Sequence, residues 1–208
     1  MKETEAYKKY KLRIREKEKS IKKGENVFHL SYYDGLISQN DLIEYEKSIK
    51  QIDSEFSSYD KTGDMYACLP DFTLDMYFVL SQITIQGILT NTLNSASWDT
   101  IKYILISVWK KIKNKELTKY NSRKSESKPI KFGIKVSIDK NTHFEFNLDG
   151  NLSEDLILKS LDKTIDLIKN QKINSDFKHP YFLEYDKKKK KWNKIDPEKE
   201  IRKRLKKK

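Results

Sequence analysis

Trp98, Ile101, Leu105, Val108, Trp109 and Ile112 fall at i, +3, +7, +10, +11 and +14, which is the spacing of one face of an α-helix. Tyr103, Ile104 and Ile106 stand on the opposite side of the same stretch, so its middle is apolar nearly all round. Such a helix must be covered on two sides. Ser97 is the expected N-cap, with Asp99 in the first turn and Lys110, Lys111 and Lys113 in the last, each matched to the helix dipole. With the polar-flecked stretch before it, residues 73–114 read as a central pair of apolar helices.

The segments around this pair supply its covering. Residues 1–24 read as an exposed helix of Lys, Arg and Glu, stopped by Gly24. Residues 25–70 read as a β-α-β-β unit: a strand from Val27 to Tyr32, then a helix from about Asn40 to Ile52 with Leu42, Ile43, Tyr45, Ile49 and Ile52 on its apolar side. Two strands follow, flanking a turn at Asp60-Lys61-Thr62-Gly63. Glu116 to Lys128 is polar throughout and reads as a linker.

Beyond it, Ile130, Phe132, Ile134, Val136 and Ile138 alternate with polar or small residues, as do Phe144, Phe146 and Leu148, which predicts a β-hairpin with one buried face. Ser153 then caps a helix carrying Ile157, Leu161, Ile165 and Ile168 toward that face. Tyr181 to Tyr185 and Trp192 to Ile195 read as strands on either side of Lys187 to Lys191, and Pro197 opens a final basic helix. The expected class is therefore α+β. A charged helix (1–24) precedes a lobe with the central helices (25–115), and a linker (116–128) leads to a ββα lobe with a basic tail (129–208).

Composition limits function more than it defines it. The chain has 37% hydrophobic and 12% aromatic residues, enough for a core, and a net charge of +12 made from 43 basic and 31 acidic side chains. Counting gives 38 Lys against 5 Arg, and Arg is the better bidentate reader of phosphate and guanine, so compositional drift explains the basicity as readily as a binding site does. One cysteine, Cys68, excludes an internal disulfide framework, and the first 23 residues lack the apolar stretch of a secretory signal; a cytoplasmic protein is expected. Ten polar residues between Met76 and Trp98 argue against a lipid-spanning helix.

No catalytic constellation is visible. Cys68 and His29 fall on neighbouring predicted strands, but a buried thiol and a strand histidine account for both. His29, His143 and His179 are too far apart for short metal-ligand spacing, and the six glycines form no phosphate-cradling loop. Carboxylate pairs such as Asp53 and Glu55 are expected by chance among 31 acids. No metal or cofactor is expected.

Charge is distributed unevenly. Residues 25–100 hold three bases and twelve acids, 101–135 eleven bases and two acids, and 178–208 fourteen bases and five acids. The basic segments either form a separate surface or neutralise acidic segments of this or a neighbouring chain. The leading expectation is a non-enzymatic interaction protein whose lysine-rich ends dock on an acidic partner, nucleic acid or protein. Its candidate residues are Lys187, Lys188, Lys189, Lys190, Lys191 and Trp192, with Arg202 and Arg204 in the tail. The bland alternative is a solvated turn with Trp192 packed on the sheet. The runner-up is a membrane-associating effector using residues 76–112 through Trp98, Tyr103, Ile104, Ile106 and Trp109, against which stands an ordinary core helix.

Overall fold

The computed structural model describes residues 5–19, 22, 24, 26–33, 35–62, 74–90, 95–120, 125–137, 143–148, 152–173, 181–186 and 188–195. In chain order the elements are α1 (Glu5–Lys19), β1 (Val27–Tyr32), α2 (Gln39–Lys50), β2 (Glu55–Asp60), β3 (Leu74–Leu80), α3 (Gln82–Thr90) and α4 (Ser95–Ile112). They continue with β4 (Glu116–Tyr120), β5 (Ser125–Ser137), β6 (His143–Leu148), α5 (Glu154–Ile173), β7 (Tyr181–Asp186) and β8 (Lys191–Ile195). The chain is an α+β protein built on one mixed sheet of order β2-β1-β3-β5-β6-β7-β8, with β4 paired to the start of β5.

Alternation along the strands sends every second side chain to one face, and the register aligns these into apolar rows. Leu30 lies opposite Phe78, Phe78 opposite Ile134, Ile134 opposite Phe146 and Phe146 opposite Leu183, all buried. Phe28, Leu80, Val136 and Phe144 form a second buried row. The other face carries His29, Ser57, Lys131, Lys135 and Glu145.

The helices cover the apolar face. In α4, Ile101, Ile104, Leu105, Val108 and Ile112 are wholly buried and Trp109 nearly so, because α2 packs on one flank, α5 on the other and β5 beneath. Tyr45 of α2 hydrogen-bonds Ser107 at 2.9 Å, and Asp41 pairs with Lys111 at 2.8 Å. Asp41 also completes a capping box with Ser38 at the start of α2. Burial works to raise its pKa, but the Lys111 ammonium and the Ser38 hydroxyl and amide outweigh it and hold the carboxyl below the usual range. On the far flank Lys102 reaches Asp162 and Lys110 reaches Glu154.

One topological feature is uncommon. β1 and β6 run in the same direction, and each leads through a helix to a parallel neighbour; β2 lies on one side of β1, and β7 on the other side of β6. Since α2 and α5 both pack on α4, they share a sheet face, and the two crossovers must have opposite hands, against the strong right-handed preference. Ile157, Leu161 and Ile168 can be buried only on the face that carries Phe146 and Leu183.

Several expectations need correction. Residues 74–80 form a strand, not helix: the run Leu-Asp-Met-Tyr-Phe-Val-Leu is rich in aromatic and β-branched residues, and its buried Phe78 and Leu80 stand two apart. Ser97 is a buried residue inside α4, which starts at Ser95. The polar stretch 116–128 is no linker, since its described residues form β4 and the start of β5, and the sheet runs unbroken from the N-terminal strands to the C-terminal ones. β2 pairs in parallel with β1, and the second arm expected after Gly63 lies outside the described residues, as does the helix expected after Pro197. Ile43 is 55% exposed rather than on the packed side of α2.

Replacing Ile104 by Ala should lower stability to urea by about 2–5 kcal/mol, the range for emptying a fully packed site. Tyr103→Phe, which removes only the exposed hydroxyl bond to Glu44, should change it by less than about 1 kcal/mol. Equal effects would contradict the burial of α4.

Candidate docking surface

Lys188, Lys189 and Lys190 form the turn between β7 and β8, and Lys191 begins β8; all four are exposed. The chain turns tightly here because the Asp186 carboxylate accepts hydrogen bonds from the residues just beyond it. One carboxylate oxygen receives the Lys188 amide at 2.9 Å and the Lys189 amide at 3.0 Å, while the other receives the Asn193 side-chain amide at 3.1 Å. Lys190 completes the reversal at φ 50, in the left-handed region. The Lys163 ammonium of α5 donates to the Lys190 carbonyl, tying the turn to the helix layer.

The Lys189 amide contributes most to holding the Asp186 carboxyl below the usual aspartate range, with Asn193 and the Lys188 amide adding to it. A carboxyl depressed by folding stabilises the folded turn above its unfolded pKa, and that contribution is lost as pH falls through the lowered value.

Trp192 is not available to a ligand. It is 9% exposed, packs edge-on against Phe146 and Tyr185 at 5.2 Å each, and its indole N–H donates to the Ser160 carbonyl at 3.2 Å. Its role is to anchor the turn to α5, so of the two readings of Trp192, a candidate binding residue or a ring packed on the sheet, the structure shows the packed one. Lys187, Arg202 and Arg204 lie outside the described residues.

The turn contrasts with nine lysines elsewhere, though not with Lys47 or Lys131, which are likewise without an ion pair among the described residues. Lys22, Lys50, Lys102, Lys110, Lys111, Lys135 and Lys159 each reach a carboxylate within 4 Å. Lys113 lies 4.9 Å from the Trp109 ring centre and Lys61 5.3 Å from that of Tyr33. Among the described residues none of Lys188, Lys189, Lys190 and Lys191 has an ion-pair partner, so the turn keeps its charge available.

The fold does not bring together on one surface the five residues read as a membrane face within 76–112. Those residues span β3, α3 and α4; Ile104, Ile106 and Trp109 are buried, Trp98 is half-buried, and Tyr103 alone of the five is exposed. Among the described residues no helix is long and apolar enough to cross a membrane.

The residues weighed for catalytic and metal chemistry are only partly described. His29 lies between the Ser57 and Ser31 hydroxyls at 3.3 Å each, its pKa lowered by burial, but Ser57 is 5% exposed and offers no open nucleophile. Cys68, its proposed partner, lies outside the described residues. Among the described residues no group of three or more His, Cys, Asp or Glu is placed to hold a metal. The hollow beside α2, lined by Ile43, Glu46, Lys47, Lys50 and Gln51, lies on an exposed helix face rather than in an enclosed pocket.

Lys163, Asp186 and Asn193 were not singled out from sequence. Asp186 had a readable signal, an Asp directly before a polar run between two strands, which is how an Asx turn begins. Lys163 had none, because its approach depends on how α5 crosses the sheet. No family model, curated protein or solved structure matches the chain.

In a pH titration the amide shifts of Lys188 and Lys189 should move together with a midpoint below about 3.9, the ordinary aspartate value, and Asp186→Asn should remove the transition. A midpoint at or above the ordinary value would contradict the assigned hydrogen bonds.

Proposed function

We propose that this chain is a non-enzymatic interaction protein that docks on an acidic partner through the β7–β8 turn. The observation that carries the reading is the run of four exposed lysines on a backbone held by Asp186, Asn193 and Lys163, with none of the four ammonium groups in an ion pair within 4 Å among the described residues. Lysines already paired within the chain add little to binding, since an incoming anion must first displace the resident carboxylate. The turn lysines need no such exchange. Their backbone is already ordered, which lowers the entropic cost of docking, while flexible ammonium heads suit a partner that presents anionic groups without bidentate geometry.

Trp192 supports this surface from beneath, as its burial fixes where β8 starts. A salt-sensitive association is the expected signature, because lysine contacts to a polyanion release bound counterions.

The test is a variant with Lys188, Lys189, Lys190 and Lys191 all changed to Gln, assayed at low salt against mixed oligonucleotides and against polyglutamate. Binding to at least one polyanion should weaken by about tenfold or more and lose much of its salt dependence, with the thermal melt unchanged. Wild-type binding of both by the variant would refute the proposal.

A further inference from the structure

The basic segment at 101–135 divides in two. Its helical lysines, Lys102, Lys110 and Lys111, are taken up by Asp99, Asp162, Glu154 and Asp41. The remainder leads into a two-stranded ribbon. Residues 125–129 of β5 pair with β4 alone among the described strands; β3 joins β5 only from Ile130, and β6 only from Phe132. Five residues of strand carry the ribbon about 17 Å beyond that junction.

Its root is fixed. Asn114 ends the α4 region at φ 59, the Lys115 amide donates to the Ile112 carbonyl at 3.0 Å, and the Ile130 amide donates to the Lys115 carbonyl at 3.2 Å. Past the root, Glu116, Thr118, Ser125, Ser127 and Pro129 are exposed, and Leu117 is the half-buried residue packed against the core. The register places Thr118 with Ser127 and Tyr120 with Ser125 on one side, and Lys128 and Lys119 at positions on the other. From Lys113 to Pro129 the sequence has six bases and two acids, a net charge of +4. Among the described side chains of the ribbon Leu117 alone packs on the core, so the ribbon contributes little to it.

Register also locates the ribbon relative to the β7–β8 turn. Gly133 is opposite Asn147, and Asn147 opposite Glu184. Asp186 is therefore level with Lys131, and the turn after it emerges beside the ribbon root, at the same end of the sheet. β5 is separated from β7 by two strand spacings and from β8 by three, a distance of about 10–14 Å. The two basic segments, far apart in sequence, project side by side.

We infer that the β4–β5 ribbon and the β7–β8 turn form one two-part surface for double-stranded nucleic acid, with the ribbon in the major groove and the turn lysines on flanking phosphates. The inference rests on the docking role proposed for the turn and names its partner. The major groove, about 12 Å wide, admits a two-stranded ribbon, and the spacing between ribbon and turn is of that order. The exposed hydroxyls of Thr118 and Ser125 suit phosphate and base-edge hydrogen bonds, while that of Ser127 donates to the Glu116 carboxylate at 2.6 Å within the ribbon, and the lysines supply the sequence-independent attraction. An acidic protein would satisfy the charge but would not call for a projecting ribbon of groove width.

The experiment measures affinity and its salt dependence for a short mixed-sequence duplex and for polyglutamate. It compares the full chain, the four-lysine turn variant, a ribbon variant K115Q/K119Q/K128Q, and a control K47Q/K50Q/K159Q with the same charge loss elsewhere. The ribbon variant should bind duplex about tenfold or more weakly, with the salt slope reduced by about 2 to 3 for three lost phosphate contacts. The control should retain wild-type affinity, and all four proteins should melt alike. Duplex binding at wild-type strength by the ribbon variant, equal loss in the control, or no duplex binding by the full chain would each overturn the inference. Loss of polyglutamate binding in the turn variant alone would uphold the turn as a docking site while overturning duplex as its partner. Duplex binding lost in the ribbon variant and intact in the turn variant would instead overturn the proposed role of the turn, and with it the two-part surface.

Discussion

The fold depends on the burial of α4 from both flanks. Ile101, Ile104, Leu105, Val108 and Ile112 are inaccessible to solvent, and fully burying aliphatic side chains of this size contributes about 1.5–3 kcal/mol each. A helix this apolar cannot lie at an edge. It occupies the middle of the helical layer, which forces α2 and α5 to either side of it and all three onto the one apolar face of the sheet. The unlike hands of the β1–β2 and β6–β7 crossovers result from that single-sided packing.

Packing then decides what becomes of the charge. Where helices meet, lysines find carboxylates: Lys111 with Asp41 between α4 and α2, Lys110 with Glu154 and Lys102 with Asp162 between α4 and α5. These pairs flank the core; Lys111 with Asp41 is partly shielded while Lys110 with Glu154 is exposed, so they fix helix positions more than they add stability. At the β7–β8 turn the helix layer supplies Lys163, which holds the Lys190 carbonyl, but among the described residues no carboxylate within ion-pair distance of the turn lysines. Lys115 and Lys188 to Lys191 therefore stay exposed at the end of the sheet where the ribbon and the β7–β8 turn emerge. Charge balance inside the fold and charge excess at one end have the same origin.

Much of the architecture was legible in the sequence because its periodicities are clean. The alternation from Ile130 to Leu148 gave a hairpin, the stripe from Trp98 to Ile112 a buried helix, and Ser153 the start of α5, where its hydroxyl accepts the Leu156 amide. Misreadings arose where local pattern is ambiguous. An apolar run such as Leu74 to Leu80 has no polar alternation clear enough to separate strand from helix, and the polar residues at 116–128 belong to a ribbon whose sequence has no apolar alternation to advertise it. At the candidate site the lysine run was visible and the packing of Trp192 on the sheet was one of two readings, but the choice between them and the adjacency of ribbon and turn were not legible. Both are set by strand order, which brings residues about sixty positions apart to one level of the sheet.

Hydrogen exchange of the full chain with and without a short nucleic-acid duplex tests the central claim most directly, since it reports on every backbone segment in one measurement. Slowed exchange in peptides covering 115–129 and 186–192, with the α2 and β2 peptides unchanged, is the result the account predicts. Protection centred on α2 and β2, or none at any segment at low salt, would contradict it.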